Sequence, residues 1–219
     1  MTKELELWKG EFGDQYRERN EITDENMNAR VGIWSNNFQA ISMFGTEKGL
    51  PKSVLEVGCG AGINLLAIEK IYRANGEMFK PIACEPNAQT REAANQAFRA
   101  QNFFPNWAND TSDALNLELP MHCVDLAFTS GVLIHIHPDN QLIAMKHLYN
   151  ASRKYIICME YFSPALREIN YHEEKALWTR DYGSLWLDNF NVRCLTCNFY
   201  WKRMSKLDNL TVWIFEKVN

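Results

Sequence analysis

The 219-residue sequence has no stripe of lysine and arginine; its 23 basic residues are outnumbered by 27 acidic ones, for a formal net charge of −4. A surface without a basic track offers little counterion release to a polyanion, so nucleic acid is not expected as a partner. No apolar run approaches the roughly 20 residues of a membrane span. The opening Met1-Thr2-Lys3-Glu4-Leu5-Glu6 is polar, unlike the apolar core of a secretory leader, and a cytoplasmic protein is expected. Internal repeats, low-complexity tracts and Pro/Ser-rich linkers are lacking too, and this length suits a single domain. Cysteines are few and scattered, six in all. Cys194 and Cys197 have zinc-knuckle spacing, but no second such pair or histidine pair accompanies them. On a strand the two are expected to face opposite sides, and no metal site is expected.

What is present centres on Val54-Leu55-Glu56-Val57-Gly58-Cys59-Gly60-Ala61-Gly62-Ile63-Asn64. Val54, Leu55 and Val57 read as a buried parallel strand, and Leu65, Leu66, Ile68, Ile71 and Tyr72 continue at helical spacing. A strand, a glycine turn and a helix make a pocket at the carboxyl end of a sheet, where backbone can approach a nucleoside ligand closely. The dinucleotide fingerprint wants a third glycine at its sixth position, and here that position is Ile63. Glu56 precedes the glycines where a bound cationic group could use a carboxylate. A ligand with an amine, a sulfonium and no phosphate fits better than NAD, and S-adenosylmethionine is such a ligand. The bland alternative is a tight turn with no ligand.

The rest of the chain supports a nucleoside pocket. Pro81 to Cys84 reads as a second strand ending in Glu85, which lies 23 residues beyond Gly62, where a carboxylate can accept from both ribose hydroxyls. Residues from Asp24 carry Met27, Val31, Trp34, Phe38 and Ile41 on one helical face, capped by Thr23 or Asp24 and ended near Gly45. An alanine-rich helix spans Thr90 to Ala100, and a weak third strand near Trp107 runs into the polar loop 109–113. Val124 to Gly131 is a fourth strand, Pro138 opens a helix, and Tyr155 to Glu160 is a fifth strand. A helix is predicted from about Lys175 to Asn189, followed by two β-rich runs, Val192 to Trp201 and Leu210 to Lys217. Strands alternating with helices and closed by a hairpin give an α/β, doubly wound sheet with an antiparallel edge.

With these motifs in place, the chain resembles the class I S-adenosylmethionine-dependent methyltransferases, through Leu55 to Gly62, Glu85 and the final hairpin. Within them it is similar to the pseudaminic acid biosynthesis-associated methylases, through Trp8 to Asn20, Phe128 to Ile136, Lys154 to Tyr161, and Asn170-Tyr171 onward to Trp178 and Asp181-Tyr182. It departs from them with His137-Pro138 in place of a proline pair. The resemblance implies a Rossmann-like seven-stranded sheet with a C-terminal antiparallel hairpin. Residues 1–50 would form a helical lid, and 51–219 the core, with a substrate-side insert at about 161–182.

It also implies S-adenosylmethionine as cofactor, S-adenosylhomocysteine as product, and a small-molecule acceptor, a sugar or nucleotide-linked sugar of surface-glycan biosynthesis. Gly58, Gly60 and Gly62 would shape the methionine end of the pocket, with Glu56 beside them. Glu85 would hold the ribose, Ser130 the aminocarboxypropyl portion, and Asp110 the adenine, with Thr111 or Asp113 as alternatives. His135 leaves the fourth strand as a candidate general base, or else as a histidine that orders its loop. Glu160 and Tyr161 are the next candidates at the same mouth, followed by Asn170, Tyr171, His172 and Asp181. Trp8, Phe12 and Tyr16 could close the top, keeping the site dry. Two other readings stand beside this one: an amine or carboxylate acceptor on another small metabolite, and a cofactor-binding module without turnover.

Overall fold

A computed structural model of the chain describes residues 2–14, 22–109, 112–171 and 174–218. The apolar run around Val54 forms β1 (Ser53–Val57), and the chain builds the sheet outward from it in both directions. The other strands are β2 (Lys80–Cys84), β3 (Asn106–Trp107), β4 (Val124–Ser130), β5 (Ser152–Glu160), β8 (Val192–Tyr200) and β9 (Leu210–Lys217). Their order is β3-β2-β1-β4-β5-β9-β8. The first five are parallel to one another, and β9 runs antiparallel to both β5 and β8. The order reverses direction at β1, and that crevice at the carboxyl ends of β1 and β4 is where an open α/β sheet takes a ligand.

Helices cover both faces. α2 (Asp24–Phe44) and α3 (Ile63–Ala74) lie on one, with α4 (Ala88–Ala100) beside them. There Trp34, Phe38, Leu65, Tyr72 and Phe98 pack against Val54, Leu126 and Ile157. α5 (Pro138–Ala151) and α6 (Tyr182–Asn189) lie on the other, with Met145, Leu148 and Trp186 against Leu55, Ala127 and Phe215. Successive strand residues alternate between the two clusters, as the pleat requires. The predicted limits of α2 hold: Thr23 caps it, accepting from the Asn26 N–H at 3.2 Å, and Gly45 ends it.

Two expectations fail, each for a local reason. The helix predicted from 175 is a strand in its first third: β7 (Glu174–Thr179) pairs antiparallel with β6 (Arg167–Tyr171) as a separate hairpin. Asp181 then caps α6, accepting from the Ser184 N–H at 2.9 Å, so an aromatic spacing that spans Trp178 and Tyr182 crosses an element boundary. Cys194 and Cys197 do not face opposite sides. A register shift between Cys194 and Thr196 sets them opposite Phe215 and Trp213, which share a face. Among the described residues, no group of three His, Cys, Asp or Glu side chains is placed to hold a metal, and no helix is long and apolar enough to cross a membrane.

Candidate active site

The floor of the site is bare backbone. Gly58, Gly60 and Gly62 all have positive φ, at 73°, 54° and 83°. The amides of Gly58 and Cys59 both donate to the Cys84 carbonyl, at 2.8 and 2.9 Å, which folds the turn back over β2. The three glycines have different reasons to be glycine. A Cβ on Gly58 would meet Val132 at 2.5 Å and one on Gly62 would meet the Phe98 ring at 2.3 Å, whereas one on Gly60 would meet nothing within 4 Å. Gly60 faces the open cavity. Gly62 is not in the cavity wall; it begins α3 and lets Phe98 pack beneath.

Three groups of carboxylates surround this floor. Glu85, at the end of β2, accepts from the Gly60 amide at 2.9 Å and the Asn87 amide at 3.0 Å, one on each oxygen. Burial raises its pKa, although both amide bonds and Arg91 oppose the shift. Glu56 is buried beside it, with one oxygen accepting from Asn64 Nδ2 at 2.7 Å and the other, Oε2, with no partner. Burial pushes the Glu56 carboxyl up to about 8, against the Asn64 bond, the Arg30 charge and the nearby Leu65 amide, which falls short of a hydrogen bond to Oε2. Asp113 lines the far side, accepting from the Leu115 and Asn116 amides at 2.8 and 3.1 Å and lying 3.6 Å from Lys9 Nζ. Asp110 and Thr111 lie outside the described residues.

Arg30 links α2 to this end of the pocket. Its Nη1 donates to Asn64 Oδ1 at 3.3 Å and to Ser130 Oγ at 3.2 Å, and Trp34 Nε1 donates to the same Asn64 oxygen at 3.2 Å. Ser130 stands in the wall at the end of β4.

His135 is in the wall as well, on a 3-10 turn (Leu133–His135). Glu160 is what fixes that turn. One of its oxygens accepts from the Val132 and Leu133 amides at 3.2 and 3.1 Å, and the other from the Ile134 amide at 3.3 Å. Burial raises its pKa to about 7, against those amide bonds. From the far side, buried Gln141 donates to the Leu133 and Ile136 carbonyls at 3.1 and 3.0 Å and accepts from Arg180 at 3.2 Å. Glu160 is thus a positioning residue outside the cavity wall, which corrects its expected catalytic placement.

A cover is built from α1 (Lys3–Lys9) and the helical residues 11–14. Thr2, Leu5, Trp8 and Gly13 line the cavity from above, leaving a volume of about 200 Å³. The Trp8 and His135 rings touch, with centroids 4.5 Å apart, and Phe12 lies edge-on to Trp8 at 5.1 Å. Asn87 latches the cover: its Nδ2 donates to the Trp8 carbonyl at 3.1 Å and to Asp14 Oδ1 at 3.0 Å, while its Oδ1 caps α4 at the Thr90 amide. Phe12 is half-buried on this segment, and Tyr16 and His172 lie outside the described residues.

Three of the remaining expected acceptor contacts are not brought to this cavity. Tyr161 donates to Asp208 Oδ2 at 2.8 Å instead, Asn170 is exposed on β6, and Asp181 is occupied as the α6 cap. Tyr171 lies on β6, at the start of the hairpin turn. Sequence reasoning missed Arg30, Asn64, Asn87 and Val132. Of these only Asn87 left a signal, an Asn before a helix at a strand end.

The cavity fits a cofactor that carries a cation and an adenosine. A buried, unpartnered carboxylate oxygen suits an ammonium group, and the space above Gly60 is one that any side chain there would fill. Comparison with known proteins agrees. Residues 54–154 match the model of a methyltransferase domain. No curated protein matches the sequence. Among solved structures, magnesium protoporphyrin IX methyltransferase from Synechocystis PCC 6803 with bound S-adenosylmethionine superposes with a TM-score of 0.65 at 14% identity, covering 100% of this chain and 99% of that one. The 1,6-didemethyltoxoflavin-N1-methyltransferase of Burkholderia thailandensis, with its namesake compound and S-adenosylhomocysteine bound, gives 0.71 at 15% identity, covering 98% and 88%. An S-adenosylmethionine-dependent methyltransferase from Clostridium acetobutylicum gives 0.63 at 11%, covering 94% and 96%. Residues 54–154 are thus similar to a methyltransferase domain, and the chain has the fold of the class I S-adenosylmethionine-dependent methyltransferases.

Proposed function

We propose that the chain methylates a sugar or nucleotide-linked sugar of nonulosonic (pseudaminic) acid and surface-glycan biosynthesis, in the cytoplasm. The single observation that carries the cofactor end is the unpartnered Glu56 oxygen beside the bare Gly60 backbone. A small acceptor is supported by the cover that Thr2, Leu5, Trp8 and Gly13 lay over the cavity, and by the small compound bound to the Burkholderia relative. The sugar class rests on the sequence resemblance through Trp8 to Asn20 and the other three stretches. Six unpaired cysteines suit a reducing compartment.

Bound here, S-adenosylmethionine supplies a methyl group on a positively charged sulfur that departs as a neutral thioether. Glu56 takes the ammonium group, and Arg30 with Ser130 the neighbouring carboxylate. Glu85 keeps lone pairs for the ribose hydroxyls beyond those used by the Gly60 and Asn87 amides. Asp113, or Asp110 with Thr111, takes the adenine amino group, and Gly62 acts by letting Phe98 support the turn. His135 accepts the proton of the acceptor hydroxyl, held in place by the turn that Glu160 fixes. Trp8 excludes water above it. Tyr161, Asn170, Tyr171, Asp181 and Tyr16 are the further acceptor contacts that the sequence resemblance implies.

The test is transfer of label from S-adenosylmethionine to a set of nonulosonic acid intermediates. Label in a sugar product is expected. Transfer to an amine or carboxylate metabolite but to no sugar would overturn the acceptor class, and cofactor binding without transfer to any compound would overturn turnover.

A further inference from the structure

A second hollow, open and of about 520 Å³, lies at the same edge of the sheet, walled by Tyr161, Phe162, Phe199, Lys202, Asp208 and Asn209. Two of its aromatic rings are left to solvent: Phe162 is 51% exposed and Phe199 63%. Its polar groups are already fixed. The Tyr161 hydroxyl donates to Asp208 Oδ2 at 2.8 Å, Lys202 Nζ donates to Asp208 Oδ1 at 3.0 Å, and the Lys202 amide donates to Asn209 Oδ1 at 2.9 Å. Partial burial pushes the Asp208 carboxyl up, yet the bonds from Lys202 and Tyr161, with the Lys202 and Arg30 charges, hold it below its usual range. Aromatic faces beside a preset carboxylate, ammonium and amide are what a ring with one apolar face and a rim of hydroxyls requires.

This hollow lies at the same end of the sheet as the cofactor cavity. Ser130 pairs with Met159 on β5, and Glu160 pairs with Thr211 on β9, so the hollow and Ser130 stand at one level of the sheet. They are two strand spacings apart, about 10 Å. Arg30 bridges the interval: it donates to Ser130 at 3.2 Å, and its charge is felt at Asp208.

We propose that this hollow binds a glycosyl ring of the methyl acceptor, and that the acceptor extends from it to His135. An acceptor that reaches from the hollow past Ser130 spans about 10 Å, more than one pyranose ring, so it carries a second unit, a nucleotide or another sugar. This rests on the methyl-transfer reading above and deepens it.

The test uses the full chain loaded with S-adenosylhomocysteine, with CMP-N-acetylneuraminic acid and UDP-N-acetylglucosamine as probes. Saturation-transfer NMR reads which probe protons touch the protein, and calorimetry reads S-adenosylhomocysteine affinity in parallel. Saturation of glycosyl ring protons is expected for at least one probe. Phe199→Ala and Asp208→Asn should each weaken that probe tenfold or more while leaving S-adenosylhomocysteine affinity within twofold. Tyr161→Phe, which removes only the hydroxyl, should give a smaller loss. Saturation of neither glycosyl ring, or equal binding by wild type and variants, would overturn the proposal. Absence of S-adenosylhomocysteine binding is a separate readout, and it would bring down the methyl-transfer reading itself.

Discussion

The indole of Trp8 lies against the imidazole of His135, with centroids 4.5 Å apart and planes inclined at 57°. The candidate base of the proposed reaction therefore lies under an aromatic cover. His135→Ala should lower kcat by about 10²- to 10⁴-fold, the usual worth of a positioned base. It should leave S-adenosylhomocysteine affinity nearly unchanged, since the ring is not among the groups holding the glycine turn. Single-turnover transfer and calorimetry on one preparation check both halves.

Gly60 and Gly62 separate binding from packing. Gly60→Ala adds a methyl group where no atom lies within 4 Å, so the protein should fold with a modest loss of about 1 kcal/mol for the left-handed backbone. Cofactor affinity should fall at least tenfold, because that methyl occupies the cofactor's space. Gly62→Ala drives a Cβ to 2.3 Å from Phe98 and should lower the thermal midpoint far more. Thermal melts with and without S-adenosylhomocysteine distinguish the pair.

Glu56 makes the cofactor-free protein sensitive to pH in a definite direction. Burial raises its folded-state pKa from 4.5 to about 8, so between those values the folded chain retains a proton that the unfolded chain has released. Stability should therefore fall as pH rises from about 4.5 to about 8, not as it falls. Glu160, raised to about 7, adds a slope of the same sign that ends earlier. Glu56→Gln should remove its slope between about pH 7 and 8 and reduce, without abolishing, the slope below pH 7, where Glu160 still titrates. Urea unfolding of the cofactor-free protein from pH 5 to pH 9 measures this. An arriving ammonium favours the charged carboxylate, so cofactor binding at pH 7 should release a proton, visible as a buffer-dependent binding enthalpy.

Gly13 sets how closely the cover folds down. A Cβ there would meet the Trp8 carbonyl at 2.1 Å and Asn87 Nδ2 at 2.9 Å. Gly13→Ala should break the latch without touching the core. Amide exchange in residues 2–14 should speed up, and S-adenosylhomocysteine should dissociate about tenfold faster, with little change in thermal midpoint.

Much of the site was legible because it is local. β1, its glycine turn and α3 are consecutive in the chain, and Glu85 ends the next strand. The acid at a strand end shows where that signal stops. Glu56, Glu85 and Glu160 all follow apolar runs and look alike in sequence. Yet Glu85 holds the glycine turn, Glu56 keeps an oxygen free, and Glu160 turns away to cap the loop of His135. Which neighbour each acid meets depends on loops from other parts of the chain. Arg30 was invisible for the same reason: Ser130 is 100 residues away, and only the packing of α2 brings them together. β7 was misread because one aromatic spacing crossed two elements, and the cysteine pair because a bulge inverts the alternation that sequence reading assumes.

Asn87 serves two masters: it caps the helix that follows the ribose-side strand and it grips the backbone of Trp8. Thr2 lines the chamber at the far end of that same segment. A purification tag or fusion partner joined ahead of Thr2 would therefore sit against the chamber wall. Protein carrying such an extension should turn over at a different rate from protein freed of it, even with every residue of the chamber intact.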